Sequence, residues 1–147
     1  MMINVNINTS SLVKYPQDLI VGEVYFSFKD TVFPKIKKEK WSDFIVWVLT
    51  NWNEALEKMK NSSDETAFQL KFFNGSFRAN VININGLLKF QFLQEIYDKT
   101  KIVCECECDL LEFEKSLKDA TKELLIELEK RNWISKHSEE LSHYITV

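Results

Sequence analysis

The chain has 147 residues, 45% of them apolar and 28% charged, with a formal net charge of −3. That balance fits one domain with a continuous core and argues against disorder. The acidic balance gives no basic footprint for nucleic acid, and no apolar run approaches the roughly 20 residues that span a bilayer.

From its first residues the chain alternates. Ile3, Val5 and Ile7 share one side of an edge strand over 3–8, with no apolar stretch of the signal-peptide kind, so a cytoplasmic location is expected. Residues 10–17, with Pro16, read as a loop. Residues 20–28 read as a strand with Val24, Phe26 and Phe28 inward and Glu23, Tyr25 and Ser27 outward. Four lysines crowd 35–40 around Ile36. Without Gly turns or interleaved aromatics, they read as a solvated connection rather than an anion-binding loop.

Residues 41–60 read as a helix, with Ser42 and Asp43 at its N-terminus and Trp41, Ile45, Val48, Leu49, Trp52, Leu56 and Met59 along one stripe. Phe44, Val46 and Trp47 fall off that stripe. Trp47 is therefore either covered by the 31–40 loop or an exposed apolar anchor for a partner. A loop over 61–65 follows.

Residues 66–107 read as an antiparallel meander. Asn74-Gly75 and Asn85-Gly86, each flanked by alternating residues, are strong two-residue hairpin signals. The first turn sets Leu70 opposite Ala79, Phe68 opposite Val81, Lys71 opposite Arg78 and Gln69 opposite Asn80. The second sets Val81 opposite Phe90, Ala79 opposite Phe92 and Asn80 opposite Gln91. Both turns sort the same residues onto one apolar face, which a slip of one residue would invert. The last strand is expected over 101–108.

Asp109 then opens a long helix through about residue 131, with Glu112 in the capping-box position and Leu110, Phe113, Leu117, Ala120, Leu124 and Leu128 on one stripe. Beyond Trp133-Ile134 lies a polar tail, with room for a helical turn over 138–144. The expected architecture is α+β, a single domain over 1–147 in the order β-β-α-β-β-β-β-α. A mostly antiparallel sheet of about six strands carries two helices on one face.

Few residues offer chemistry. Cys104, Cys106 and Cys108 alternate along the last strand, so their sulfurs share one face about 6.6 Å apart, too extended for one tetrahedral metal to gather. They read as small apolar core groups, with neither metal nor cofactor expected, and an odd cysteine count suits no disulfide framework. The same alternation turns Glu105 and Glu107 outward, onto the face carrying Gln69, Lys71, Arg78, Lys89 and Gln91. An open face offers no burial to separate two carboxylate pKa values, so a partner-facing surface is expected there rather than an acid–base pair. His137 and His143 are expected to be exposed. No phosphate-cradling loop or nucleophile elbow is present, and no enzyme is expected.

Two stretches carry a resemblance. Phe33-Pro34 with the run from Trp41-Ser42-Asp43-Phe44 to Trp52, and the aromatic hairpin from Leu70 to Val81, resemble small bacterial immunity proteins of polymorphic or contact-dependent toxin systems. The chain departs from that pattern at Asn74-Gly75-Ser76-Phe77, where an acidic-Gly-Pro-Tyr turn would stand. The resemblance implies a protein that binds a cognate toxin domain and occludes its active site or an adjacent surface. Candidate contacts are Glu105, Glu107, Glu112 and Glu114 at the junction of last strand and long helix, and Trp47 and Phe44 as apolar anchors. The competing expectation is a small-ligand or regulatory module, its pocket lined by Phe68, Phe72, Phe77, Phe90, Phe92 and Trp52.

Overall fold

The computed structural model describes residues 2–35, 40–62, 65–73 and 75–145. Most of the lysine-rich connection, part of the 61–65 loop and Asn74 of the first Asn-Gly turn lie outside the described residues. Chain order is β1 (Asn4–Tyr15), a 3-10 turn (Pro16–Asp18), β2 (Leu19–Phe28), β3 (Thr31–Phe33), β4 (Ser42–Phe44) and α1 (Ile45–Lys60). Then come β5 (Ala67–Lys71), β6 (Phe77–Ile84), β7 (Leu87–Ile96), β8 (Lys99–Asp109), α2 (Leu110–Lys130) and α3 (Lys136–Ser142).

The α+β class stands, with the strands divided between two antiparallel sheets. The first sheet orders β1-β2-β3, with β4 also on β2; the second orders β5-β6-β7-β8. The second sheet is the meander the turns predict: Lys71 pairs Arg78, Gln69 pairs Asn80, Asn80 pairs Gln91 and Val81 pairs Phe90. At Asn85-Gly86 both residues have positive φ (52° and 90°), as a type I′ turn requires. The third hairpin, unmarked by glycine, turns at Tyr97 (φ 57°) and starts β8 two residues before the predicted strand.

The first sheet departs further from expectation. Residues 10–17, expected as loop, mostly continue β1 across a register shift between Asn8 and Val13. There side-chain oxygens replace ladder partners. The Ser11 hydroxyl accepts from the Glu23 N–H at 2.8 Å, and Asn8 Oδ1 accepts from the Ser10 N–H at 3.0 Å. Ser42–Phe44, expected inside the helix, pairs with β2 instead, Gly22 opposite Asp43. Asp43 is 1% exposed, and α1 begins after Phe44 without a side-chain cap. Its carboxylate accepts from the Trp41 indole N–H at 2.9 Å and from the Phe73 and Phe44 main-chain N–H groups at 3.0 and 2.7 Å. It ties β4 to the chain leaving β5.

One contiguous cluster of buried side chains runs through both sheets and all three helices. At its centre Phe26 of β2 stacks on Trp52 of α1, with ring centroids 4.3 Å apart, and meets Phe72, Phe90 and Phe92 from the second sheet. The predicted stripe of α1 is buried throughout. On α2 Phe113 packs against Phe90 at 5.3 Å and Asp109 caps the Leu111 and Glu112 N–H groups. Between the helices the polar contacts are satisfied. Asn53 donates to Thr121 Oγ1 at 3.0 Å and accepts from Lys118 Nζ at 2.9 Å. The tail forms α3, whose capping box joins Ser135 and Ser138.

Candidate functional surface

Alternation along the second sheet puts its apolar residues, with Cys104, Cys106 and Cys108 opposite Phe92, Phe90 and Leu88, against the core. Burial pushes the Cys106 thiol up to about 12 and the Cys108 thiol up to about 11, the latter despite a hydrogen bond from the Ile3 backbone. Cys104 is raised by the same cause. Thiols held protonated are poor ligands and poor nucleophiles. Among the described residues no group of three or more His, Cys, Asp or Glu could hold a metal ion. The ring set considered for a ligand pocket is occupied by itself. Trp52 packs on Phe72 and Phe90 on Phe92, all four buried around Phe26, while Phe77 meets Phe33 edge-on at 5.5 Å and Phe68 lies half-buried against the same core.

The opposite face of that sheet is organised in rows that cross its strands. One row runs Gln69, Asn80, Gln91, Glu105, three amides and a carboxylate, one from each strand. The next runs Ala67, Ile82, Lys89, Glu107. A register shift between Phe92 and Leu93 adds a residue to β8 beside these rows, and a bulge of this kind bends its strand. The two rows line a groove of about 510 Å³.

Charge in the groove is uneven. Glu105 and Glu107 are exposed, and neither lies within 4 Å of a cationic nitrogen among the described residues. Asn80 Oδ1 is buried with no hydrogen-bond partner. Beyond the amide row, Arg78 pairs with Glu95, whose carboxylate also accepts from the Thr100 hydroxyl at 2.8 Å. Those two bonds, Arg78 first, hold Glu95 below the usual carboxylate range. The Arg78 Nε remains buried and unpartnered.

The six sequence-derived contact residues fall into three places. Glu105 and Glu107 line the groove. Glu112 and Glu114 sit on the first turns of α2, which packs on the core side of the sheet, and Glu114 is engaged by Lys60 at 2.6 Å. Phe44 and Trp47 form a third cluster. Trp47 is half-buried, and among the described residues it is covered by Phe44 at 5.2 Å, Phe73 at 6.1 Å and His137 of α3 at 5.8 Å; most of the lysine-rich part of the 31–40 segment lies outside the described residues. His137, expected to be exposed, is therefore half-buried; His143 is exposed. Asn80, Gln91 and the Arg78–Glu95 pair were not among the candidates, although the turn-derived register already set Asn80 beside Gln91.

No protein family, curated protein or solved structure was found to match this chain. No helix among the described residues is long and apolar enough to cross a membrane.

Proposed function

We propose that this protein is a toxin-neutralising immunity protein that acts by binding rather than catalysis, in the cytoplasm of a bacterium. The observation that carries the reading is the groove of the second sheet, which bears two carboxylates with no cationic partner among the described residues and a buried, unsatisfied amide oxygen. Such a face is complementary to a basic protein surface. Carboxylates free of internal ion pairs keep their field available for steering a cationic partner into contact. The resemblance of the Trp41–Trp52 and Leu70–Val81 stretches to immunity proteins supports the same assignment.

The test is co-expression with the neighbouring open reading frame, which the reading expects to encode a toxin domain at the C-terminus of a large secreted protein. The expected result is rescue of growth together with a 1:1 complex that survives gel filtration. Growth arrest that persists, with no complex formed, would overturn the reading.

A further inference from the structure

We propose that the groove of the second sheet is a seat for an arginine side chain presented by the partner protein, held between Glu105 and Glu107 and read by the amide row of Asn80 and Gln91. This inference names the partner chemistry for the surface proposed above and rests on that reading.

The acceptors define the occupant. Glu105 lies directly across from Gln91, and Gln91 directly across from Asn80, so a carboxylate and two amides stand on adjacent strands about 4.8 Å apart. Asn80 lines the groove, and its Oδ1, buried without a donor in this conformation, is reached by an arginine once the Asn80 side chain turns outward to another rotamer. Glu107, the next outward residue on the same strand as Glu105, adds a second carboxylate about 6.6 Å along. An ammonium is a compact point charge and engages one locus of such a set. A guanidinium is a flat fork of five N–H donors aimed in several directions, and it can bond a carboxylate along one edge and an amide oxygen along another. Ala67 and Ile82, on the same rows, give apolar surface against which the methylenes of an arginine would lie.

Lys89 lies directly across from Glu107 and is the local competitor, yet it forms no ion pair within 4 Å among the described residues. Glu105 faces an amide and carries the less balanced charge. A second copy of this chain is a poor source of the guanidinium. Its two arginines, Arg78 and Arg131, are committed to Glu95 and Glu127. The arginine must come from another protein.

Three capped tripeptides, Gly-Arg-Gly, Gly-Lys-Gly and Gly-citrulline-Gly, titrated into the labelled full chain and followed by amide NMR, test this directly. The arginine peptide should shift the side-chain amide signals of Asn80 and Gln91 and the backbone signals of Glu105 and Glu107. It should bind at least about threefold more tightly than the lysine peptide, with citrulline silent. Paired substitution Glu105→Gln/Glu107→Gln should weaken arginine binding at least about tenfold, because both charge-assisted contacts are lost. Equal binding of lysine and arginine, unmoved Asn80 and Gln91 signals, or undiminished binding by the variant would each overturn the seat. The toxin assay separates the two readings. Wild-type protein that neutralises the toxin, with the variant neutralising it equally, overturns the seat and leaves immunity standing. Arginine binding without neutralisation by the wild type removes immunity and leaves the seat standing.

Discussion

The two faces of the second sheet are built from the same four strands and meet opposite fates. On the inner face Leu70, Ala79, Val81, Phe90 and Phe92 are buried among the rings of β2 and α1, and the half-buried Cys104 and Cys106 with the buried Cys108 continue the same surface. On the outer face the amides, lysines and glutamates stand in rows, and two polar atoms, Arg78 Nε and Asn80 Oδ1, are buried without partners. A buried polar atom with no hydrogen bond costs about 1–3 kcal/mol. The inner face thus holds most of the stabilisation, and the outer face keeps one donor and one acceptor without an internal partner. A period-two strand lets one sequence specify both, provided the register never slips.

The sharpest break in that comparison comes from the inner face. Phe92→Ala should destabilise by about 3–5 kcal/mol, read as a lower denaturant midpoint, since it empties the space shared with Phe26, Phe28 and Phe33. Below that comes a contrast between the two Asn-Gly glycines. A Cβ at Gly75 would stand 2.5 Å from Trp41 Cη2 at a φ of +100°, whereas at Gly86 nothing lies within 4 Å. Gly75→Ala should cost roughly 2 kcal/mol, combining left-handed strain with the clash, and Gly86→Ala about 1 kcal/mol from strain alone. Equal melting shifts would mean the hairpin does not rest on Trp41.

Absent at neutral pH is an alkaline effect on the inner face. The Cys106 thiol ionises near 9 when unfolded and is pushed up to about 12 by burial, so the unfolded state loses its proton first. Its contribution to stability is complete below pH 9 and declines as pH rises toward 12, a decline that Cys106→Ala should reduce in pH-dependent denaturation. Least affected is the outer face. Glu105→Gln/Glu107→Gln should leave stability within about 0.5 kcal/mol, while removing complex formation with the partner. A large loss of stability would assign these carboxylates a role in the fold.

Legibility in the sequence followed the range of the forces at work. The meander could be read because turn chemistry is local. Asn85-Gly86 sets its own backbone, and the pairing of β6 with β7 follows. Division of the strands into two sheets could not, because β4 joins β2 through Asp43, whose value lies in bonds to Trp41 and Phe73 that only the folded chain supplies. The cover of Trp47 was hidden for the same reason, since His137 reaches it from the far end of the chain. The carboxylates of the groove were visible by alternation. The empty partner position at Asn80 was not, because satisfaction of a polar atom is a property of packing.

Trp52 sits where β2, α1 and the end of β5 converge. It stacks on Phe26, meets Phe72 edge-on at 5.2 Å, and its indole N–H reaches the Lys71 carbonyl at 2.9 Å. Neither sheet can be pulled from the other without stripping that ring of one of its neighbours. Local opening of one sheet alone would therefore expose rings of the shared core. The two sheets then melt as one cooperative unit, and in a variant keeping Trp52 as its one tryptophan of the four the indole emission should follow the whole transition.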